Sequence, residues 1–168
     1  MSLDLTLRNR QRTRPVEIRR LRRICASLLE DFLHIKHAEF GITLVGAPEM
    51  SRINWQFLQH EGATDVITFN HGSAPAPGPQ PPHASQPPLH GELFICLDEA
   101  VRQARRFGTT WQSELVRYLI HGTLHLLGYD DHGAADHRTM KREENRLLRL
   151  LATRFPLSRL ARKPKLRR

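Results

Sequence analysis

Residues 117–132 read RYLIHGTLHLLGYDDH, and in them His121 and His125 stand four residues apart. On a helix that spacing projects both rings from one face. Two imidazoles so placed can grip a single metal ion. Gly128 then lets the chain reverse sharply, returning Asp131 or His132 towards the pair. Asp131 completes the pattern His-x3-His-x5-Asp, and a carboxylate is an acceptable zinc ligand. His132 lies one residue further on, so either side chain is a candidate third ligand. Three protein ligands leave one position for water, which is the arrangement of a hydrolytic metal. The competing reading is two satisfied core histidines beside a helix-terminal turn. Metalloproteases carry a glutamate directly after the first histidine as general base. Here that position is Gly122, which argues against a peptidase.

The elements that must position these groups follow from hydrophobic periodicity. Leu3, Leu5 and Leu7 alternate with polar residues, as in a strand. Ile18, Leu21, Cys25, Leu28, Leu29 and Phe32 recur at spacings of three and four, which predicts an amphipathic helix with Arg19, Arg20 and Arg23 on its outer face. Gly41 to Val45 reads as a second strand, followed by a short helix from Pro48 to Phe57. Val66 to Phe69 and Leu93 to Cys96 read as two further strands. Helices are expected at Asp98–Phe107, from an N-cap at Thr109 or Thr110 to about Leu127, and at Ala134–Arg154. Residues 71–90 hold seven prolines and read as a polyproline linker inserted between the last two strands. There are no internal repeats. The expectation is one α+β domain over residues 1–156, with a four-stranded mixed sheet, five or more helices, and a basic tail at 157–168.

The chain has 168 residues and a net charge of +9, and the positive excess sits in two arms. Residues 8–23 carry eight arginines against one acid, Glu17; residues 157–168 carry six bases and no acid. Between them, residues 24–156 hold 12 bases and 15 acids. Such arms are an electrostatic footprint for a polyanion, nucleic acid first among them. Arginine's planar fork suits phosphate in particular. An anionic membrane fits less well, because no amphipathic anchor with exposed aromatics accompanies the charge. Trp55 and Trp111 fall in helical patterns and are expected to be packing residues rather than base-stacking ones. No apolar run approaches the ~18 residues of a membrane span, and MSLDLTLRNRQRTR has no apolar signal core. With only Cys25 and Cys96 there is no disulfide framework, and a cytoplasmic setting is expected.

At this point the residues resemble a known family, the YbeY-type metal-dependent endoribonucleases. That family carries H-G-x-L-H-L-x-G-Y-D-H, where this chain has HGTLHLLGYDD through Asp131. A second family stretch, Asn and an aromatic pair before T-D-V-L-S-F, is matched by INWQFLQHEGATDVITF at 53–69. A third, G-D/E-I-x-I, is matched by Gly91-Glu92-Leu93-Phe94-Ile95. The likeness spans most of residues 40–132. It implies a single-strand-type endoribonuclease working in 16S rRNA 3′-end maturation and ribosome quality control. It implies catalytic roles for His121 and His125, and one zinc ion per chain on His121, His125 and Asp131 or His132. Ribosomal RNA, with the ribosomal subunit or its proteins, would be the partner, and no membrane is involved. The family's arginine after the aromatic of the second stretch is here Leu58. Its cationic role would be lost, moved to His60, or supplied by Arg52 or an arm. Asp65 and Glu92, bordering strand ends, are candidates to orient ligands or act as a base. Two alternatives remain, a non-catalytic ribosome-assembly factor with a structural metal and, less well supported, a metalloprotease.

Overall fold

The computed structural model describes residues 2–73 and 88–163. Eight residues of alternating exposure form β1 (Ser2–Asn9). Helix α1 (Ile18–Ser27) buries Leu21, Ile24 and Cys25 and ends in a wider π turn at Leu28–Phe32. Then come β2 (His37–Val45), α2 (Ala47–Leu58), β3 (Val66–Asn70) and β4 (Leu89–Cys96). Three helices follow: α3 (Leu97–Phe107), α4 (Trp111–Leu126) and α5 (Ala134–Arg154). The strands form one mixed sheet in the order β1-β2-β4-β3, with β3 antiparallel to β4 and the other pairs parallel. This is the α+β domain that the periodicity predicts.

Successive strand residues face opposite sides of a sheet, and the core divides accordingly. Val66 packs with the main cluster, which joins Leu21, Leu28, Leu93, Ile95, Leu119 and Leu147. Its neighbour Ile67 joins a smaller cluster with Met50, Cys96 and Phe94 beneath α2. Helix α4 lies deepest, with Leu115, Leu119, Ile120 and Leu124 fully buried. A helix apolar on nearly all sides holds its functional groups still, because it is packed from several directions.

The structure departs from the sequence expectations in four places. Strands β2 and β4 begin earlier than Gly41 and Leu93, and the two extensions are each other's partners: Ala38 pairs with Leu89 and Phe40 with Gly91. Leu89 and His90 therefore belong to the sheet and not to the proline-rich linker; residues 74–87 of that linker lie outside the described residues. Trp55 is 59% exposed rather than packed, whereas Trp111 does pack against the core. The basic tail does not begin at 157. Leu157–Leu160 forms a 3₁₀ turn with Leu160 buried, and Ala161 bridges to Val16. The Glu17 amide donates to the Leu160 carbonyl at 2.8 Å, and the Arg162 amide to the Pro15 carbonyl at 2.9 Å. Two leucines spaced three apart suit one turn of 3₁₀ helix, so this segment docks instead of trailing.

β1 is an outer strand of the sheet, and the Arg22 guanidinium of α1 donates to its Leu5 carbonyl. No helix among the described residues is long and apolar enough to cross a membrane.

Candidate metal centre

Helix α4 starts at a true cap, where the Thr110 hydroxyl accepts from the Ser113 amide at 3.2 Å. Near its other end Gly122 presses against the sheet. A Cβ there would meet Leu93 Cδ2 at 2.7 Å and Val66 Cγ2 at 3.1 Å. A glutamate here would crowd Leu93 and Val66, so space as well as residue type weighs against the peptidase reading. Gly122→Ala is expected to cost about 1–3 kcal/mol by overpacking. Chemical denaturation checks this; a cost under half a kcal/mol would mean that the helix shifts freely.

The helix closes with the Gly128 amide donating to His125 O at 3.0 Å, and Gly128 takes a φ of 93°, a conformation that suits glycine. This reversal brings the Tyr129 carbonyl 3.1 Å from His125 Nδ1. On the other histidine, Nδ1 is 2.9 Å from the Glu144 carboxylate of α5. A carbonyl and an ionised carboxylate only accept, so both Nδ1 atoms carry the proton and both Nε2 atoms present a lone pair. Those two Nε2 atoms lie 3.0 Å apart. Asp131 Oδ2 adds a third acceptor, 3.9 Å from His121 Nε2 and 3.7 Å from His125 Nε2.

Three lone-pair donors thus converge with no hydrogen between them, an arrangement that a cation relieves. Two nitrogens sharing a tetrahedral zinc at its usual bond lengths sit about 3.3 Å apart, close to the separation here. His121, His125 and Asp131 have ligand atoms all within 4.8 Å of one another. Chemically the set fits a divalent ion such as zinc.

The two rings differ electrostatically. Burial pushes His121 down, but the hydrogen bond and charge of Glu144, with Asp65 and Asp131, more than reverse this and leave it above its ordinary value. His125 is lowered by burial and then by His121, which Asp131 and the Tyr129 carbonyl only partly offset.

The centre opens into a cleft lined by Asp65, Arg117, His121, Asp131, His137, Lys141 and Glu144. The other sequence candidates fall outside it. His132 is 90% exposed and pairs with Asp130 at 3.5 Å instead of turning inward. Glu92 lies on the sheet beside Arg8 and His71. Leu58, His60 and Arg52 do not line the cleft; its cations come from α4 and α5, as Arg117 and Lys141. Asp65, by contrast, lines the cleft. Glu144 escaped the sequence reading. It is the charged residue in the stripe Met140, Glu144, Leu147 and Leu151 on the buried side of α5, and that misfit was the available signal.

Comparison with known proteins points one way. The profile of the family described as Endoribonuclease YbeY matches residues 6–152. Proteins named Endoribonuclease YbeY are similar to the chain: that of Chlorobium luteolum is 39% identical over 117 residues, covering 69% of this chain and 77% of the relative. The Geobacter sulfurreducens protein is 30% identical over 151 residues, 89% of this chain and 96% of its own. The longer Myxococcus xanthus relative, 38% identical over 69% of this chain, is matched over only 37% of its length. The solution structure of TM1509 from Thermotoga maritima superposes with a TM-score of 0.62 over 98% of this chain and 99% of that one, at 21% identity, a likeness of fold.

Proposed function

The chain belongs to the YbeY family of endoribonucleases, and on that premise we propose that it is a cytoplasmic, zinc-dependent enzyme cutting single-stranded segments of ribosomal RNA precursors. The observation that carries the zinc assignment is the convergence of His121 Nε2, His125 Nε2 and Asp131 Oδ2 at the head of a cleft whose lining sets Arg117 and Lys141 among the carboxylates of Asp65, Glu114, Asp131 and Glu144. His121, His125 and Asp131 would hold the ion, while Glu144 and the Tyr129 carbonyl keep the imidazole protons on Nδ1. An ion held there would supply Lewis acidity for the phosphoryl group and for the attacking oxygen.

The chain's own groups do the rest. Lys141 offers a cationic partner for phosphate oxygens in the cleft, beside Arg117, which is held against Glu144. Lys141 would stand in for the arginine that Leu58 replaces. Asp65 lines the same cleft; its Oδ1 accepts from the Val66 amide at 2.8 Å and the Thr64 hydroxyl at 3.2 Å. That leaves Oδ2 to take the proton from the attacking oxygen, whether water or an RNA 2′-hydroxyl.

Zinc-loaded protein is expected to cleave ribosomal RNA precursor fragments, to lose activity on chelation and to regain it with zinc. The product ends report the attacking group: a 2′,3′-cyclic phosphate for the 2′-hydroxyl, a linear phosphate for water. RNA bound but never cut, with zinc in place, would sink the enzymatic reading.

A further inference from the structure

The arginines of the two basic arms are not equivalent. Arg8 and Arg10 face carboxylates, Glu92 and Glu49 respectively. Arg102, Arg117, Arg146 and Arg154 are likewise matched to Glu99, Glu144, Glu143 and Asp31. A different situation holds where the 3₁₀ turn docks on α1. There Arg20, Arg159, Arg162 and Lys163 line one groove with a single acid, Glu17, and among the described residues none of the four cations is paired with a carboxylate.

This groove is built rather than incidental. Val16 bridges to Ala161, the Glu17 amide bonds Leu160 O, and the Arg162 amide bonds Pro15 O. These contacts hold two stretches about 140 residues apart in sequence side by side, so that bases from both converge. Placing four like charges around a single acid is costly to folding, and a bound polyanion offsets that cost. The groove shares no residue with the cleft of the metal centre.

We propose that this groove is a second docking surface for the RNA substrate, gripping its sugar–phosphate backbone at a distance in sequence and in surface from the point of cleavage. The proposal rests on the endoribonuclease reading for the identity of the polyanion. Nucleic acid is favoured over a lipid surface because the charges line a concavity, and a phosphate chain can follow a concavity. Contacts of this kind bind without reading sequence, and each neutralised phosphate releases counterions.

The test is equilibrium binding of a single-stranded ribosomal RNA fragment, in a His125→Ala background so that the RNA stays intact. Arg159→Ala with Arg162→Ala is compared with the parent across salt; both arginines are exposed, and a thermal melt checks folding. Losing two phosphate contacts should flatten the slope of log affinity against log salt by about 1.4. The affinity ratio between parent and variant should then shrink about sevenfold between roughly 50 and 200 mM salt. Arg20→Ala with Lys163→Ala should behave alike. An unchanged slope in both pairs would overturn the proposal. So would an unchanged RNA slope together with lost binding to phosphatidylserine vesicles, which would make the surface lipid-facing. Cleavage by the native chain is assayed separately. A flattened slope with no cleavage upholds the groove and removes the enzyme, and cleavage with an unchanged slope does the reverse.

Discussion

Alanine at His125 is expected to reduce RNA cleavage to background and to empty the centre of zinc, while the chain keeps its fold. The site offers three ligand groups, and two cannot hold a hydrolytic ion in place. The loss should exceed the 10–100-fold that removal of an outer partner typically costs. His125 is the better choice for this experiment than His121. Its Nδ1 bonds the Tyr129 carbonyl at the helix end, so its loss removes one neutral hydrogen bond, about 0.5–1.5 kcal/mol. In a domain of this size that lowers the melting temperature by a few degrees. Removing His121 instead strips Glu144 of its 2.9 Å partner and leaves a buried carboxylate facing Arg117 alone, at 3.7 Å. Losing a hydrogen bond to a buried carboxylate costs about 1.5–3 kcal/mol. Zinc content, cleavage and melting measured on both variants separate loss of the metal from loss of the fold. Retention of activity by His125→Ala would remove the centre from the mechanism.

The second large effect belongs to Glu144, which acts through His121. Its carboxylate fixes the proton on Nδ1 and so aims the Nε2 lone pair at the ion. Glu144→Leu is expected to weaken zinc binding about 100-fold, the upper end for an outer partner of a metal-bound histidine. Glu144→Gln keeps an acceptor and the volume but loses the charge, and about tenfold is expected from it. Competition against a fluorescent zinc chelator gives both constants. A purely packing role for Glu144 would leave zinc affinity unmoved in the leucine variant and the melting temperature raised or unchanged.

Sequence pattern was enough to find the four strands and the five α-helices, because α1 and α5 each carry one consistent apolar face while α4 is a long apolar run between a threonine cap and Gly128. Their junctions were less legible. The first turns of β2 and β4 look irregular in isolation, with His37, Glu39, His90 and Gly91 among them. They become strands by pairing with one another, a non-local event that no window of sequence contains. In the same way Leu157 and Leu160 are diluted by arginine and lysine, and only the bridge between Val16 and Ala161 makes that segment part of the core. For the candidate metal centre, spacing brought out the candidate ligands on α4 and its turn. It completed the pattern with Asp131 but left His132 open, because the outcome depends on which way the chain leaves Gly128. Glu144 comes from another helix, 23 residues past His121, so its hydrogen bond is a fact of packing. Trp55 illustrates the opposite error: helical spacing suggested burial, yet α2 turns that side chain to solvent.

The bond from Arg22 to the Leu5 carbonyl bears on how the protein behaves in a crowded solution. An outer strand presents unpaired backbone groups that a second chain can extend, and such edges seed aggregation. β1 is eight residues long, enough to template a neighbour, whereas β3 at the other rim has five. A guanidinium laid over one carbonyl of β1, with Asp4 and Arg8 on the same strand, obstructs that addition by occupying an acceptor and surrounding it with charge. Part of the arginine block on α1 thus guards the sheet against self-assembly and is not available for holding RNA.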